Sequence, residues 1–134
     1  MRDGLQHRRM LLWAIQKLSR LRDARIDIEK TLRFSGRDPY TREPLNHRLR
    51  VDAYAETPSK KIALEVFAET PSIPKIAGRY YALQLIADEI IFVVPDRRGA
   101  ERVREAVETV YPRRADSKVW VAFEEEEVWV RQAP

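Results

Sequence analysis

The chain has 134 residues, enough for one domain with a hydrophobic core, and its lack of cysteine excludes disulfides and thiolate zinc sites. Hydrophobic residues make up 44% of the chain and charged residues 34%, and no apolar run is long enough to span a membrane. The first ten residues do not resemble a signal peptide. We therefore expect a single cytoplasmic domain over residues 1–134 that does not bind membranes. Abundant Arg and Glu with few Gly are also typical of thermophile proteins.

The net charge of +4 is unevenly distributed along the chain. Residues 1–51 contain 13 Lys and Arg against 6 Asp and Glu, whereas residues 52–134 contain 12 against 15. A basic half joined to an acidic half favours a nucleic-acid surface beside a metal-binding pocket. An ordinary solvated surface explains the same distribution equally well.

The periodicity of apolar residues predicts three helices and six strands. The chain begins with an amphipathic helix, in which His7 is expected to be a surface residue. A tight turn at 57–60 separates the second and third strands, and Ser72 is placed to cap the second helix. The residues from 89 to 95 are almost all apolar, which indicates a central strand parallel to the third. The predicted elements are helices at 4–22, at 73–87 and from 97 or 99 to 110, strands at 25–30 with a continuation to 34 left open, 49–56, 62–69, 89–95, 119–123 and 128–130, and a loop at 35–47.

The hairpin formed by the second and third strands carries the clearest chemical signal. A two- or four-residue loop centred between Pro58 and Ser59 places Asp52 directly opposite Glu65, with the two Cβ atoms about 5 Å apart and both acids on one face. Two carboxylates at that distance repel each other unless a positive charge lies between them. A divalent cation meets that need, and oxygen ligands select Mg²⁺ or Mn²⁺.

Several other charged residues are placed to join such a site. Lys75 and Arg79 share a face of the second helix, which begins close to the end of the third strand. Glu69 lies on the face of Glu65, and Glu29 approaches the pair if the first strand is a neighbour. Each of these also has an ordinary interpretation as a solvated surface residue.

The order of elements and the residues of the hairpin resemble the PD-(D/E)xK nuclease superfamily, which includes archaeal Holliday-junction resolvases and RecB-type nucleases. The resemblance covers residues 5–95 and is carried by RVDAYAE with Asp52, by ALEVFAE with Glu65, and by the helix that follows. It implies an α/β fold with a restriction-endonuclease-like core. In that fold a mixed central sheet is flanked by helices in the order αβββαβ, followed here by αββ.

The resemblance also implies a metal-dependent DNA endonuclease, with Asp52, Glu65 and the carbonyl of Val66 as ligands of Mg²⁺ or Mn²⁺. The lysine of the family motif falls at position 67, where this chain has Phe67. Some members supply the basic residue from the following helix, which makes Lys75 the first candidate. The remaining candidates are Arg79 as the second source of that charge, Glu29 and Glu69 as additional acids, and Arg37, Arg42, Arg48, Arg50, Lys60 and Lys61 as nucleic-acid-binding residues.

Two alternatives to an active nuclease stay open. The same fold can carry a decayed site, in which case the chain binds nucleic acid or a protein partner without cleaving, and Phe67 favours this interpretation. The chain can also be an unrelated α/β domain in which Asp52 and Glu65 are surface strand residues. In that case Trp120, Val128 and Trp129 could form the seam of a homodimer. A homodimer is also compatible with the active nuclease, because enzymes that cut both strands of a duplex are commonly two-fold symmetric.

Overall fold

The computed structural model describes residues 4–38, 41–110 and 115–132, with the backbone alone at 34 and 45–47. Its elements follow the predicted order αβββαβ and then αββ. They are α1 (Gly4–Leu18), β1 (Arg25–Arg37), β2 (Pro44–Glu56), β3 (Lys61–Val66), α2 (Ile73–Leu83), β4 (Glu89–Val94), α3 (Arg97–Thr109), β5 (Asp116–Val121) and β6 (Glu127–Arg131).

All six strands form one sheet in the order β1-β2-β3-β4-β5-β6. Strands β3, β4 and β5 are parallel to one another, and the other neighbouring pairs are antiparallel. The two parallel pairs follow from the helices α2 and α3, because each helix carries the chain back to the starting edge of the sheet. The prediction of an α/β domain with a mixed sheet is therefore confirmed.

Helices cover both faces of the sheet, and each face has its own hydrophobic core. The core under α1 includes Met10, Leu11, Ala14 and Leu18. The opposite core lies under α2 and α3 and includes the fully buried ring of Tyr80, whose hydroxyl donates to the Ala115 carbonyl at 2.9 Å. Within the described ranges, no helix has the length and apolar character needed to cross a membrane.

The central strand β4 and the start of α2 form as the sequence predicts. Every residue of β4 is buried, and its sequence is apolar from Ile90 to Val94, as expected for a strand covered on both faces. Ser72 caps α2, since its side-chain oxygen accepts from the Lys75 amide at 3.3 Å. This cap fixes where α2 begins after β3.

The predicted loop at 35–47 is wrong at both ends, since β1 runs to Arg37 and β2 begins at Pro44. Strands β1 and β2 continue through this region as a paired ribbon, in which Gly36 lies opposite Leu45 and Arg37 opposite Pro44. Glycine and proline are tolerated here because Pro44 is the first residue of its strand and the ribbon lies at the edge of the sheet. The first helix also ends earlier than predicted, at Leu18 rather than residue 22.

Candidate functional site

The hairpin of β2 and β3 has the predicted register. Ala53 pairs with Leu64 and Glu56 with Lys61, which centres the turn between Pro58 and Ser59. Continued by one residue, this register places Asp52 opposite Glu65. Pairing of β2 with β3 stops at Ala53, so the two acids lie where the strands begin to separate.

Asp52 is held by contacts to both of its carboxylate oxygens. The Val66 amide donates to Asp52 Oδ2 at 2.7 Å, replacing the ladder hydrogen bond that is lost where β2 leaves β3. His7 Nε2 of α1 lies 3.3 Å from Asp52 Oδ1. The carboxylate is therefore fixed against the main chain of Val66, whose carbonyl is one of the predicted metal ligands.

Glu65 is buried, with 8% of its surface exposed, and forms an ion pair with a cation from α2. Arg79 Nη2 donates to Glu65 Oε1 at 2.6 Å and also to the Arg50 carbonyl at 2.7 Å. Burial raises the pKa of Glu65 from its ordinary value of 4.5 to about 7, and the charge of Asp52 adds to the rise, whereas Arg79 and Lys75 lower it. Asp52 and Glu65 are therefore electrostatically coupled.

The Asp52 carboxylate lies in the gap between β2 and β3, against the Val66 amide, so the two acids do not simply share one face of the sheet as expected. Asp52 is contacted from α1, whereas Glu65 is contacted from α2 on the other side of the sheet. Side-chain alternation is interrupted at Asp52, because Val51 belongs to the core under α2 while Ala53 belongs to the core under α1. Glu29, opposite Asp52 in the register of β1, has a φ of 52°, a left-handed backbone that accompanies this irregularity.

A pocket of about 290 Å³ is lined by His7 and Val66, the two residues that contact Asp52, and brings together further predicted residues. Glu69 and Lys75 both line it, as does His7. Phe67, at the position of the missing lysine, is buried and stacks on Phe92 with ring centroids 6.1 Å apart. The residues lining this pocket are His7, Val66, Phe67, Ala68, Glu69, Thr70, Pro71, Ser72 and Lys75.

Lys75 and Arg79 take different positions around the site. Arg79 contacts Glu65 directly, whereas the Lys75 ammonium lies 5.7 Å from the centre of the Phe67 ring. Lys75, the first candidate for the displaced lysine, is thus placed over Phe67, whereas Arg79, the second candidate, contacts Glu65. The order of preference predicted from sequence does not match the order of proximity.

The other predicted residues lie at three places, one of them beside Asp52. Glu29 pairs with Arg50 at 3.3 Å, next to Asp52 in the register. Lys60 pairs at 2.8 Å with the buried Glu89, at the turn end of the hairpin, and so has a structural partner there. Lys61 is exposed at the same end, and the exposed side chains of Arg37, Arg42 and Arg48 belong to the ribbon and its turn.

His7 is the residue of this site that sequence reasoning assigned to the surface. Its contact with Asp52 depends on how α1 crosses the sheet, which no local pattern specifies. A signal was nevertheless present, because His7 continues the buried stripe of Leu11, Ala14 and Leu18 by one turn toward the start of the helix. A polar residue on that line faces the sheet.

The oxygen atoms at this site could form part of the coordination shell of a hard divalent cation. Within the described residues, no three side chains of His, Cys, Asp or Glu are grouped to hold a metal ion. Mg²⁺, however, is commonly bound by one or two carboxylates, with water and substrate phosphate completing its shell. Asp52, Glu65 and the Val66 carbonyl match that pattern, and a cation between them would offset the repulsion from Asp52 that adds to the effect of burial on the pKa of Glu65.

No protein-family model matches the chain, and searches of curated proteins and of solved structures return no significant match. The function proposed below rests on the geometry of the chain's own residues.

Proposed function

We propose that this chain is a metal-dependent DNA endonuclease built on the restriction-endonuclease-like fold. The observation that carries the proposal is the position of Asp52 and Glu65, which the register places opposite each other where β2 and β3 separate. The order of elements and the parallel pairing of β3 with β4 support the same fold. Asp52, Glu65 and the Val66 carbonyl would hold Mg²⁺ or Mn²⁺, which supplies polarisation of the phosphate and a lowered pKa for water.

The side chains around the two acids have separate tasks in this proposal. Arg79 is fixed by Glu65 and by the Arg50 carbonyl, so its guanidinium offers a preorganised positive charge to a phosphate oxygen. Lys75, at the edge of the pocket, offers a second and more mobile charge. His7 positions Asp52 from the side of α1. Phe67 shields the site from the core side, since its ring is buried against Phe92.

A binding module without cleavage is the second candidate, and a specific observation favours it. Phe67, at the position of the family's lysine, is buried in the hydrophobic core. The charge of Glu65 is balanced by its ion pair with Arg79. A site of this kind can hold a phosphate backbone through Arg79 and Lys75 without activating water. The difference between the two candidates is whether a phosphodiester bond is broken.

A cleavage assay on a panel of labelled DNAs tests the proposal. The panel contains duplex, single-stranded, flap and four-way-junction DNA, each with Mg²⁺, Mn²⁺ or a chelator. Glu65→Gln is the decisive variant, because the amide can still accept from Arg79 but no longer carries the charge that binds a cation. Glu105→Gln, an exposed change on α3, is the matched control. Cutting by wild type and control but not by Glu65→Gln supports the nuclease. DNA binding without cutting by wild type supports the binding module.

A further inference from the structure

The ribbon formed by residues 31–37 and 44–50 extends beyond the rest of the sheet. Strand β3 pairs with β2 only from Ala53 to Glu56, so the ribbon has no neighbouring strand on that side. Its length from Asp52 to Pro44 is roughly 27 Å at the usual rise of an antiparallel strand. The candidate site therefore lies at the base of an arm that reaches well past it.

The two faces of this arm differ sharply in character. Leu32 and Leu49 are paired across it and turn toward the core under α2, where Leu49 is buried. The arm is also tied to α2 at its far end, since the Tyr81 hydroxyl donates to Asp38 Oδ2 at 3.2 Å. One face is thus anchored to the domain, and the other is open to solvent.

The open face carries four exposed arginines, which we call the arginine face: Arg33, Arg37, Arg48 and Arg50. Arg33 lies directly opposite Arg48, an arrangement of like charges that weakens strand pairing unless an anion lies between them. Within the described parts of the chain, neither of these two arginines forms an ion pair. Arg50 ends the row beside the site, because its carbonyl accepts from Arg79.

We propose that the arginine face of the ribbon enters the major groove of B-form duplex DNA and so directs the duplex to the site at its base. The major groove of B-DNA, about 12 Å wide, admits a two-stranded ribbon, whereas the corresponding groove of an RNA duplex is too narrow. Arginines on one face meet phosphates on the groove walls and base edges at its floor. The inference rests on the proposed function in taking nucleic acid as the substrate, and it adds the element that holds it and the form it takes.

Fluorescence anisotropy with a labelled DNA duplex about two helical turns long tests this inference. A chelator is present, so that binding is measured without cleavage, and salt is varied from about 50 mM to about 200 mM. Arg33→Ala/Arg48→Ala removes two charges from the arginine face. For this variant, the slope of the logarithm of the binding constant against the logarithm of the salt concentration should be less steep by about 2. Its affinity for the duplex at low salt should be at least about tenfold weaker than that of wild type.

Two further variants keep the test decisive. Arg98→Ala/Arg104→Ala removes two exposed arginines from α3 and should leave the slope unchanged. Arg33→Glu replaces the like-charge pair by an opposite-charge pair with Arg48, so the fold is preserved while the net charge of the face falls by two. It should match the double alanine variant in salt slope.

An unchanged slope in the Arg33 and Arg48 variants would overturn the inference, as would an equal loss in the α3 control. Equal affinity of wild type for duplex DNA, duplex RNA and single-stranded DNA would also overturn it. If only the proposed nuclease function is wrong, the duplex will still bind through the arginine face, but no metal will produce cleavage. If cutting persists in Arg33→Glu with unchanged binding, the ribbon inference alone fails.

Discussion

Replacing Glu65 by glutamine should change how the stability of this protein depends on pH. The pKa of Glu65 is raised from 4.5 to about 7 in the folded protein, mainly by burial. Over this interval the folded state holds a proton that the unfolded chain releases, so stability falls as pH rises. The stabilising contribution is complete below pH 4.5 and is lost above pH 7. Across this pH interval the free energy of unfolding should fall by about 3 kcal/mol. Solvent screens little of this electrostatic effect, because the side chain is buried.

Urea unfolding in the presence of a chelator, repeated between about pH 4 and about pH 8, measures this effect. The difference in unfolding free energy between wild type and Glu65→Gln cancels the titration of the other acids. Wild type should lose about 3 kcal/mol relative to the variant across the interval, while Glu105→Gln should follow wild type throughout. Parallel curves for wild type and Glu65→Gln would refute the assignment of Glu65 as a buried carboxyl with a raised pKa.

Three further predictions concern the metal and the residues around it. Mn²⁺ should raise the melting temperature of wild type but not of Asp52→Asn. The increase should be larger at high pH, because Glu65 must lose its proton before it binds the metal. Equal increases in both proteins would show that Asp52 does not bind the metal. Arg79→Ala should move the pH at which cleavage is half-maximal upward by about one unit or more, since Arg79 lowers the pKa of Glu65. Lys75→Ala should lower the cleavage rate with a smaller upward shift, because Lys75 contributes less to lowering that pKa; a larger shift for Lys75→Ala than for Arg79→Ala would exchange their roles. His7→Ala should weaken Mn²⁺ binding in calorimetry while costing about 0.5 kcal/mol of stability or less, because the side chain is partly exposed; unaltered Mn²⁺ binding would leave His7 without a role.

The parts of the fold that could be predicted are those set by neighbouring residues. The turn between Pro58 and Ser59 fixes the register of β2 with β3, and that register alone brings Asp52 opposite Glu65. The uninterrupted apolar run of β4 and the Ser72 cap are equally local signals. The element order follows from them, because each helix that returns the chain to the same sheet makes the next strand parallel.

The remaining features depend on contacts between distant segments. Whether Lys75 or Arg79 reaches Glu65 depends on the rotation of α2 over the sheet, since the two residues lie one helical turn apart. The contact between His7 and Asp52 requires α1 to cross β2 at its separation from β3.

The ribbon could not be predicted from the sequence for a different reason. Gly36 and Pro44 are typical of loops, but at a sheet edge they are compatible with pairing, and the anchoring of Leu49 to the core outweighs them. Its arginine face becomes visible only once the cross-strand register is known.

The rate at which wild type and Asp52→Asn cleave one labelled DNA duplex in Mn²⁺ tests the central claim most directly. Asparagine can still accept from the Val66 amide, so the variant keeps the fold and loses only the charge. We predict that wild type cuts the duplex and that the variant is slower by about a thousandfold or more. Equal rates, or no cutting by wild type in any metal, would contradict the assignment of Asp52 and Glu65 as a nuclease site.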